Sequence, residues 1–428
     1  MKNTRKYSVV RSVTTCTVLC ILHLLVGCQK EMIKSETAES LSNKMEKAMA
    51  TLSGPAFVSA HRANDLLKVD EIINEGINSL EVDIYVGTKG GQPTCLIGHE
   101  AGTATGQTLE QYFANLNQKL PSFTSLWLDC KDLNSTANEA LFLSTLKKMD
   151  SLYNIKNRVL IESMYPQHLT GFKQLGWTVS YYCNWNDLSG KTPAQQQVIM
   201  DEMYNKLTTY GVDGISYDIY ADNPMKSYFS TKTIGGEQVK MYAWALSRYY
   251  GEADLATKLA GYGHLDILLI TFYSPQAVLL DGANYKIVSA LTKEPSKVVD
   301  VNGNPPINGE DVTLWTYNYP TSSNQVWKLR SLGSGYYALK SLADTTKVLE
   351  VRGGGSANST PVQVATFANT SAQRWKITYV GSGNYNLEPA VAPGKNLDVD
   401  GASTANDTQI QIYSAHTGNA QKFRLVKQ

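Results

Sequence analysis

The sequence predicts an α/β protein, a (β/α)8 TIM barrel followed by an all-β trefoil domain, and three observations predict it. Short apolar runs alternate with helically spaced segments over roughly 225 residues. The residues suited to chemistry (His61, Glu81, Asp83, Asp129) fall at the C-terminal ends of those runs, where a (β/α)8 barrel carries its active site. Beyond Asn284 a β-rich unit recurs three times, and three such units suggest a closed threefold barrel.

The 428-residue chain is long enough for two or three domains. Its net charge of +1 comes from well-mixed charges, which gives no electrostatic footprint for nucleic acid. Residues 1–28 read as a signal rather than as fold. Lys2, Arg5, Lys6 and Arg11 form a basic start, and residues 12–27 an apolar run too short and interrupted for a membrane span. Leu25-Val26-Gly27-Cys28 resembles a bacterial lipoprotein cleavage box. This resemblance implies lipid on Cys28 and a protein outside the cytoplasm, anchored to the outer membrane or cell surface. Polar residues 29–52 read as a tether. Cys95, Cys130 and Cys183 remain beyond Cys28, without metal-binding spacing, and are expected as buried thiols with one bridge possible.

The barrel domain is expected over 53–280. Its strands are expected at 57–61, 79–86, 125–132, 158–164, 177–183, 214–217, 240–245 and 265–271, with an extra piece at 94–98. Helical spacing is found through Val69, Ile72, Ile73 and Ile77, and at 108–120, 137–152, 168–175, 192–210 and 252–261.

The strand at 79–86 alternates, so Glu81 and Asp83 share a face. Two adjacent carboxylates are costly in a core unless a cation lies between them. In SLWLDCKD, residues 125–132, Asp129 and Lys131 share a face and Cys130 points away. Asp129 would complete a three-carboxylate shell with Glu81 and Asp83, and such oxygen ligands suit Mg²⁺. The cation would neutralise phosphate oxygens, Lys131 would add a fixed positive charge, and His61 and His99 would divide nucleophilic or base work from acid work. A structural ion-pair cluster around Lys131 is the plainer alternative.

Residues 59–86 resemble the sphingomyelinase D / phospholipase D family, a branch of the glycerophosphodiester phosphodiesterase-like barrels. The shared pattern is His61, Asn64, Gly76-Ile77-Asn78-Ser79, Glu81 and Asp83. His99 corresponds to the family's second histidine, Asp129 and Lys131 to its Asp-x-Lys strand, and Tyr242-Ala243-Trp244 to the Tyr-x-Trp strand at its substrate mouth. The resemblance covers roughly residues 55–275 and implies Mg²⁺-dependent attack on a head-group phosphodiester, often yielding a cyclic phosphate. It implies catalytic roles for His61, His99 and Lys131, metal ligation by Glu81, Asp83 and Asp129, and substrate contacts from Asn64, Tyr242 and Trp244. The family's cysteine-paired loop after the second histidine is absent. Thr271-Phe272-Tyr273 stands where the family has Asn before Tyr. Arg62 resembles the His-Arg of ordinary glycerophosphodiesterases.

Over 284–428, KVVDVNG, KVLEVRG and KNLDVDG recur, each followed by an alternating strand. Each unit closes with Gln-x-aromatic, at Gln325, Gln373 and Gln421, spaced by 48 residues each time. The triple resembles the ricin-type lectins. Sugar binding there needs an acid, an aromatic face and an amide. Unit one offers Asp300, Trp315 and Asn324, and unit three Asp398, Gln411 and Tyr413. Unit two has Glu350 and Ala365 in those places, so its pocket is expected to be dead.

The reading that results is a secreted or surface-anchored Mg²⁺-dependent phosphodiesterase acting on phospholipid or lysophospholipid (sphingomyelin-type) head groups, with glycans as trefoil partners. A glycerophosphodiesterase on small soluble diesters and an inactive glycan-binding surface protein are the alternatives.

Overall fold

The computed structural model describes residues 57–101, 105–246, 255–272, 279–292, 295–318 and 322–428. The signal peptide, Cys28, the tether, Tyr273 and the start of the helix expected at 252–261 lie outside the described residues.

Eight parallel strands among the described residues close into a barrel. They are β1 (Phe57–Ala60), β2 (Ser79–Lys89), β4 (Ser125–Cys130), β5 (Val159–Ser163), β6 (Thr178–Cys183), β7 (Gly214–Asp218), β10 (Lys240–Leu246) and β11 (Ile267–Ile270). The order β1-β11-β10-β7-β6-β5-β4-β2 is closed by pairing of β1 with β2. The extra piece predicted at 94–98 is β3 (Gln92–Ile97), antiparallel to β2. Helices α1 (Leu66–Asn74), α2 (Leu109–Lys119), α3 (Thr136–Tyr153), α4 (Thr170–Gln174), α5 (Trp185–Leu188), α6 (Pro193–Tyr210), α7 (Asp222–Phe229) and α8 (Leu255–Leu259) lie in the connections. Local chemistry fixes their ends. Thr108 with Gln111, and Thr192 with Gln195, form capping boxes that satisfy amides the helix leaves unpaired. Helix α7 and the small hairpin β8 (Thr233–Ile234) and β9 (Glu237–Gln238) were not anticipated from the sequence.

Alternation divides each barrel strand. On β2, Leu80, Val82 and Ile84 are fully buried on one face, leaving Glu81 and Asp83 for the other. Trp127, Leu160, Tyr242, Ile267 and Leu269 pack together as an apolar floor inside the barrel. Carboxylates occupy the register positions above them, with Asp83 beside Asp129 and Asp129 beside Glu162.

The C-terminal part contains three hairpins: β13 (Lys297–Val301) with β14 (Val312–Thr316), β17 (Lys347–Val351) with β18 (Thr360–Thr366), and β21 (Lys395–Val399) with β22 (Thr408–Ser414). Three further antiparallel pairs alternate with them. They are β15 (Trp327–Gly333) with β16 (Tyr336–Ser341), β19 (Trp375–Gly381) with β20 (Asn384–Pro389), and β12 (Asn284–Ser289) with β23 (Phe423–Lys427). All units share one core that includes Val299, Trp327, Leu349, Trp375, Leu397 and Phe423.

The Gln-x-aromatic repeat explains itself structurally. Gln325, Gln373 and Gln421 each accept a backbone N–H, from Asn318 (2.9 Å), Ala368 (2.7 Å) and His416 (2.9 Å). Trp327 and Trp375 donate their indole N–H to Val299 and Leu349 carbonyls at 3.0 Å. A buried polar atom left unpaired would cost about 1–3 kcal/mol, so these positions tie the hairpins together.

Barrel and trefoil are packed on each other through α1. Leu67 is buried with Val288, Val298 and Val426. Glu71 pairs with Arg424 at 2.5 Å, and Asp65 accepts the Ser296 N–H at 2.9 Å. Cys95, Cys130 and Cys183 are free and buried, so no bridge joins them.

Candidate active site

The site is built from the ends of β1, β2 and β4. Glu81, Asp83 and Asp129 each present an oxygen within 4.8 Å of the others. Glu81 accepts the Arg62 backbone N–H at 2.6 Å, and His61 Nε2 stands 3.7 Å from the same carboxylate. That amide is aimed by an unusual backbone, because Arg62 sits in the left-handed region at φ 57°. Such a conformation costs a non-glycine residue about 1–3 kcal/mol and persists only where surroundings enforce it. The Arg62 guanidinium lies 3.8 Å from Asp83. Lys131 bridges two carboxylates, at 3.0 Å from Asp83 and in closer contact with Asp129.

Electrostatics show a cluster short of positive charge. Burial, then repulsion from Asp83 and Asp129, pushes Glu81 well above the carboxylate range. Burial likewise raises Asp129, to about 6, against the pull of Lys131. Asp83 is held low: burial opposes its charge, but Lys131, Asn64 and Arg62 together outweigh it. Three acids within reach, one of which cannot easily keep its charge, form a donor set that a hard divalent cation satisfies. The residues present therefore fit Mg²⁺.

Burial lowers His61 to about 4 and also lowers His99, where Lys131 adds to the effect. His61 feels the charges of Asp83, Arg62, Lys131 and His99, which places the two histidines in one site. His99 follows β3 and is half-buried, just after Gly98, whose N–H donates to the Asp83 carbonyl at 3.0 Å. Asn64 is fully buried and tied to Asp83, so it acts on the carboxylate.

Trp244 and Tyr242 separate. Trp244 is half-buried and stacks on Tyr182, with centroids 4.7 Å apart and planes at 14°. Tyr242, expected at the substrate mouth, is instead buried in the floor, edge-on to Trp127 at 5.7 Å. Residues two apart on a strand share a face but differ in depth by about 6.6 Å, and this puts Tyr242 beneath the site.

Two barrel residues escaped the sequence reading. Glu162 is buried beside Asp129, accepts the Trp127 indole N–H at 2.9 Å, and is raised to about 8 by burial and by Asp129. Its signal was one acid within the apolar run VLIES. Tyr182 gave a weaker signal, an aromatic on the same face as Ser180.

In the trefoil, Asp300 accepts hydrogen bonds from Asn324 at 2.9 Å and Gln325 at 2.7 Å, and burial raises it to about 6. Trp315 is half-buried two positions along β14 from Thr313, the partner of Asp300 in the ladder. In unit three, Gln411 donates to Asp398 at 3.0 Å and Tyr413 is exposed. Ala420, before Gln421, has no amide to offer where unit one has Asn324, and His416 supplies the contact instead, its Nε2 3.2 Å from Asp398. In unit two, Glu350 accepts from Gln363 and Gln373, and Ala365 offers no ring.

Comparison with known proteins reaches this second part. Residues 276–365, 323–413 and 371–428 match the model of the family described as "Ricin-type beta-trefoil lectin domain-like". The C-terminal part is a ricin-type β-trefoil lectin domain. Flavastacin of Elizabethkingia meningoseptica is 34% identical over 112 residues, covering 26% of this chain and 23% of flavastacin. The chain thus matches less than a quarter of that relative's length. Among solved structures, the designed threefold-symmetric protein ThreeFoil is 32% identical, covering 34% of this chain and 99% of its own, with a TM-score of 0.31. The Macrolepiota procera ricin B-like lectin, solved with lactose, is 20% identical, covering 36% of this chain and 100% of its own, with a TM-score of 0.30.

Proposed function

We propose that the chain is a Mg²⁺-dependent phosphodiesterase with a (β/α)8 TIM barrel of the sphingomyelinase D / phospholipase D kind. It cleaves phospholipid or lysophospholipid head groups, is anchored outside the cytoplasm through lipidated Cys28, and is held near its substrate by glycans bound at the trefoil. The observation that carries the reading is the meeting of Glu81, Asp83 and Asp129 within 4.8 Å, beside His61, His99 and Lys131.

Mg²⁺, when bound by the three carboxylates, supplies charge neutralisation for the phosphate. The chain's own groups do the rest. Lys131 and Arg62 hold the phosphate oxygens from two sides. His61 and His99 act as a pair, one attacking or taking a proton and the other protonating the leaving oxygen. Asn64 fixes the Asp83 carboxylate. The Tyr182–Trp244 pair gives a flat apolar face for the lipid side of the diester. Asp300 with Asn324 and Trp315, and Asp398 with Gln411, His416 and Tyr413, form two sugar sites of the trefoil.

A glycerophosphodiesterase acting on small soluble diesters is the second reading, favoured by the hydroxyls and amides of Thr271, Ser382, Asn384 and Asn419 in the cleft beside His61. Phosphorus NMR of the protein with sphingomyelin, lysophosphatidylcholine and glycerophosphocholine separates the readings. Conversion of the lipids, lost in His61→Ala, supports the first, and turnover of glycerophosphocholine alone supports the second. Inertness toward all three, with glycans bound, leaves a glycan-binding surface protein.

A further inference from the structure

A cleft of about 560 Å³ opens from His61 between barrel and trefoil. On the barrel side it is lined by His61, Arg62 and Thr271, and on the trefoil side by Ser382, Asn384, Asn419 and Lys422. The trefoil is thus one wall of the space into which the catalytic histidine faces. The wall is anchored: Arg424 pairs with buried Glu71 at 2.5 Å, and the apolar contact of Leu67 with Val288 and Val426 lies behind it.

The lining has a distinct chemistry. Amides of Asn384 and Asn419 and hydroxyls of Thr271, Thr292 and Ser382 offer donors and acceptors, set among the apolar side chains of Phe272, Ala290 and Val380. Lys422 is half-buried, its Nζ lies 3.5 Å from Asn419 Oδ1, and no carboxylate pairs with it among the described residues. It occupies the middle of Gln421-Lys422-Phe423, whose flanking residues are committed to the trefoil core while Lys422 faces the cleft. On the barrel side, the left-handed backbone of Arg62 carries a second cation into the same cleft. Lys68 and Arg424, which also reach the cleft, are paired with Glu71, and Asp65 is the one carboxylate among the described residues of the lining. Arg62 and Lys422 thus leave an excess of positive charge beside the hydroxyls and amides, which matches a ligand with several hydroxyls and a negative charge.

We propose that this cleft is the head-group subsite of the phosphodiesterase, shared by barrel and trefoil, and that it selects an anionic polyol, such as a phosphorylated cyclitol, over choline. The proposal rests on the phosphodiesterase reading for its place in catalysis, but not for its binding chemistry.

The full-length protein in detergent would be titrated calorimetrically with inositol 1,4-bisphosphate in the presence of chelator, as wild type, Lys422→Glu and Ser382→Asp. Equal thermal midpoints would certify the fold of the variants. Kinetics on glycerophosphoinositol 4-phosphate and glycerophosphocholine would follow with Mg²⁺. Binding by wild type, weakened at least tenfold by either variant, is the expected result, with KM for the inositol substrate rising by the same factor and KM for the cationic glycerophosphocholine not rising. Lys422-dependent binding without turnover of any diester would uphold the subsite and sink the phosphodiesterase reading. Turnover with no binding of inositol 1,4-bisphosphate, or with both substrates affected equally by Lys422→Glu, would overturn the subsite and leave the phosphodiesterase reading standing.

Discussion

Asn64 and Asp83 hold each other by two reciprocal hydrogen bonds. The Asn64 amide donates to Asp83 Oδ2 at 2.8 Å, and the Asp83 backbone N–H donates to Asn64 Oδ1 at 2.7 Å. The asparagine thereby fixes both the carboxylate and the strand that carries it. Partners of this kind around a ligating carboxylate are worth about 10–100-fold in metal affinity. Asn64→Ala should weaken Mg²⁺ binding by a factor in that range, measured by calorimetric titration. Unchanged affinity would remove Asp83 from the ligand set.

Lys131 neutralises Asp83 and Asp129 together, and all three are largely buried. Removing one partner from such a group typically costs about 3–5 kcal/mol. Lys131→Met should therefore lower the thermal midpoint in chelator, and saturating Mg²⁺ should restore more of it than it adds to the wild type. The check is a pair of melting curves for each protein, with chelator and with Mg²⁺.

Glu71 is buried and faces both Arg424, at 2.5 Å, and Lys68, at 3.3 Å. Glu71→Ala removes the carboxylate that Arg424 and Lys68 share at the junction of barrel and trefoil. A loss of about 3–5 kcal/mol is expected in urea unfolding, and splitting of one transition into two would show that this junction couples the domains.

The trefoil has a pH dependence with a definite sign. Asp300 is raised to about 6 by burial, so its proton is bound below that pH and released above it. A sugar needs the ionised acceptor, so binding at unit one should be intact at pH 7.5 and fade as pH falls through about 6. Stability runs the other way. Its folded-state pKa exceeds the ordinary value of 3.8, so the group's contribution to stability is lost as pH rises through about 6. Glycan-array signal in an Asp398→Asn background, read at pH 7.5 and 5.0, isolates unit one.

The legible parts of the molecule were those encoded by short spacing. Glu81 and Asp83, and Asp129 and Lys131, stand two apart on strands, so alternation alone put each pair on one face. The Gln-x-aromatic triple was equally open because three copies state one structural need. Depth within the barrel was not legible, which is why Tyr242 was expected in the mouth and found in the floor. Glu162 was missed because a single acid in an apolar strand announces nothing until Asp129 lies beside it. His416 escaped because the donor to Asp398 comes from a loop, where unit one uses the residue before its glutamine. The cleft at Lys422 depends on contacts such as Arg424 to Glu71, which are 353 residues apart in the chain.

The central claim is that the carboxylate cluster serves divalent-cation phosphodiester cleavage. Its most direct test is phosphorus NMR of lysophosphatidylcholine and glycerophosphoinositol 4-phosphate with wild type and Asp83→Asn, in Mg²⁺, in chelator, and after Mg²⁺ is returned. The account predicts a new phosphate resonance with wild type and Mg²⁺, lost in chelator, recovered on return of the metal, and absent throughout for Asp83→Asn. Turnover that persists in chelator, or that survives Asp83→Asn, would contradict it.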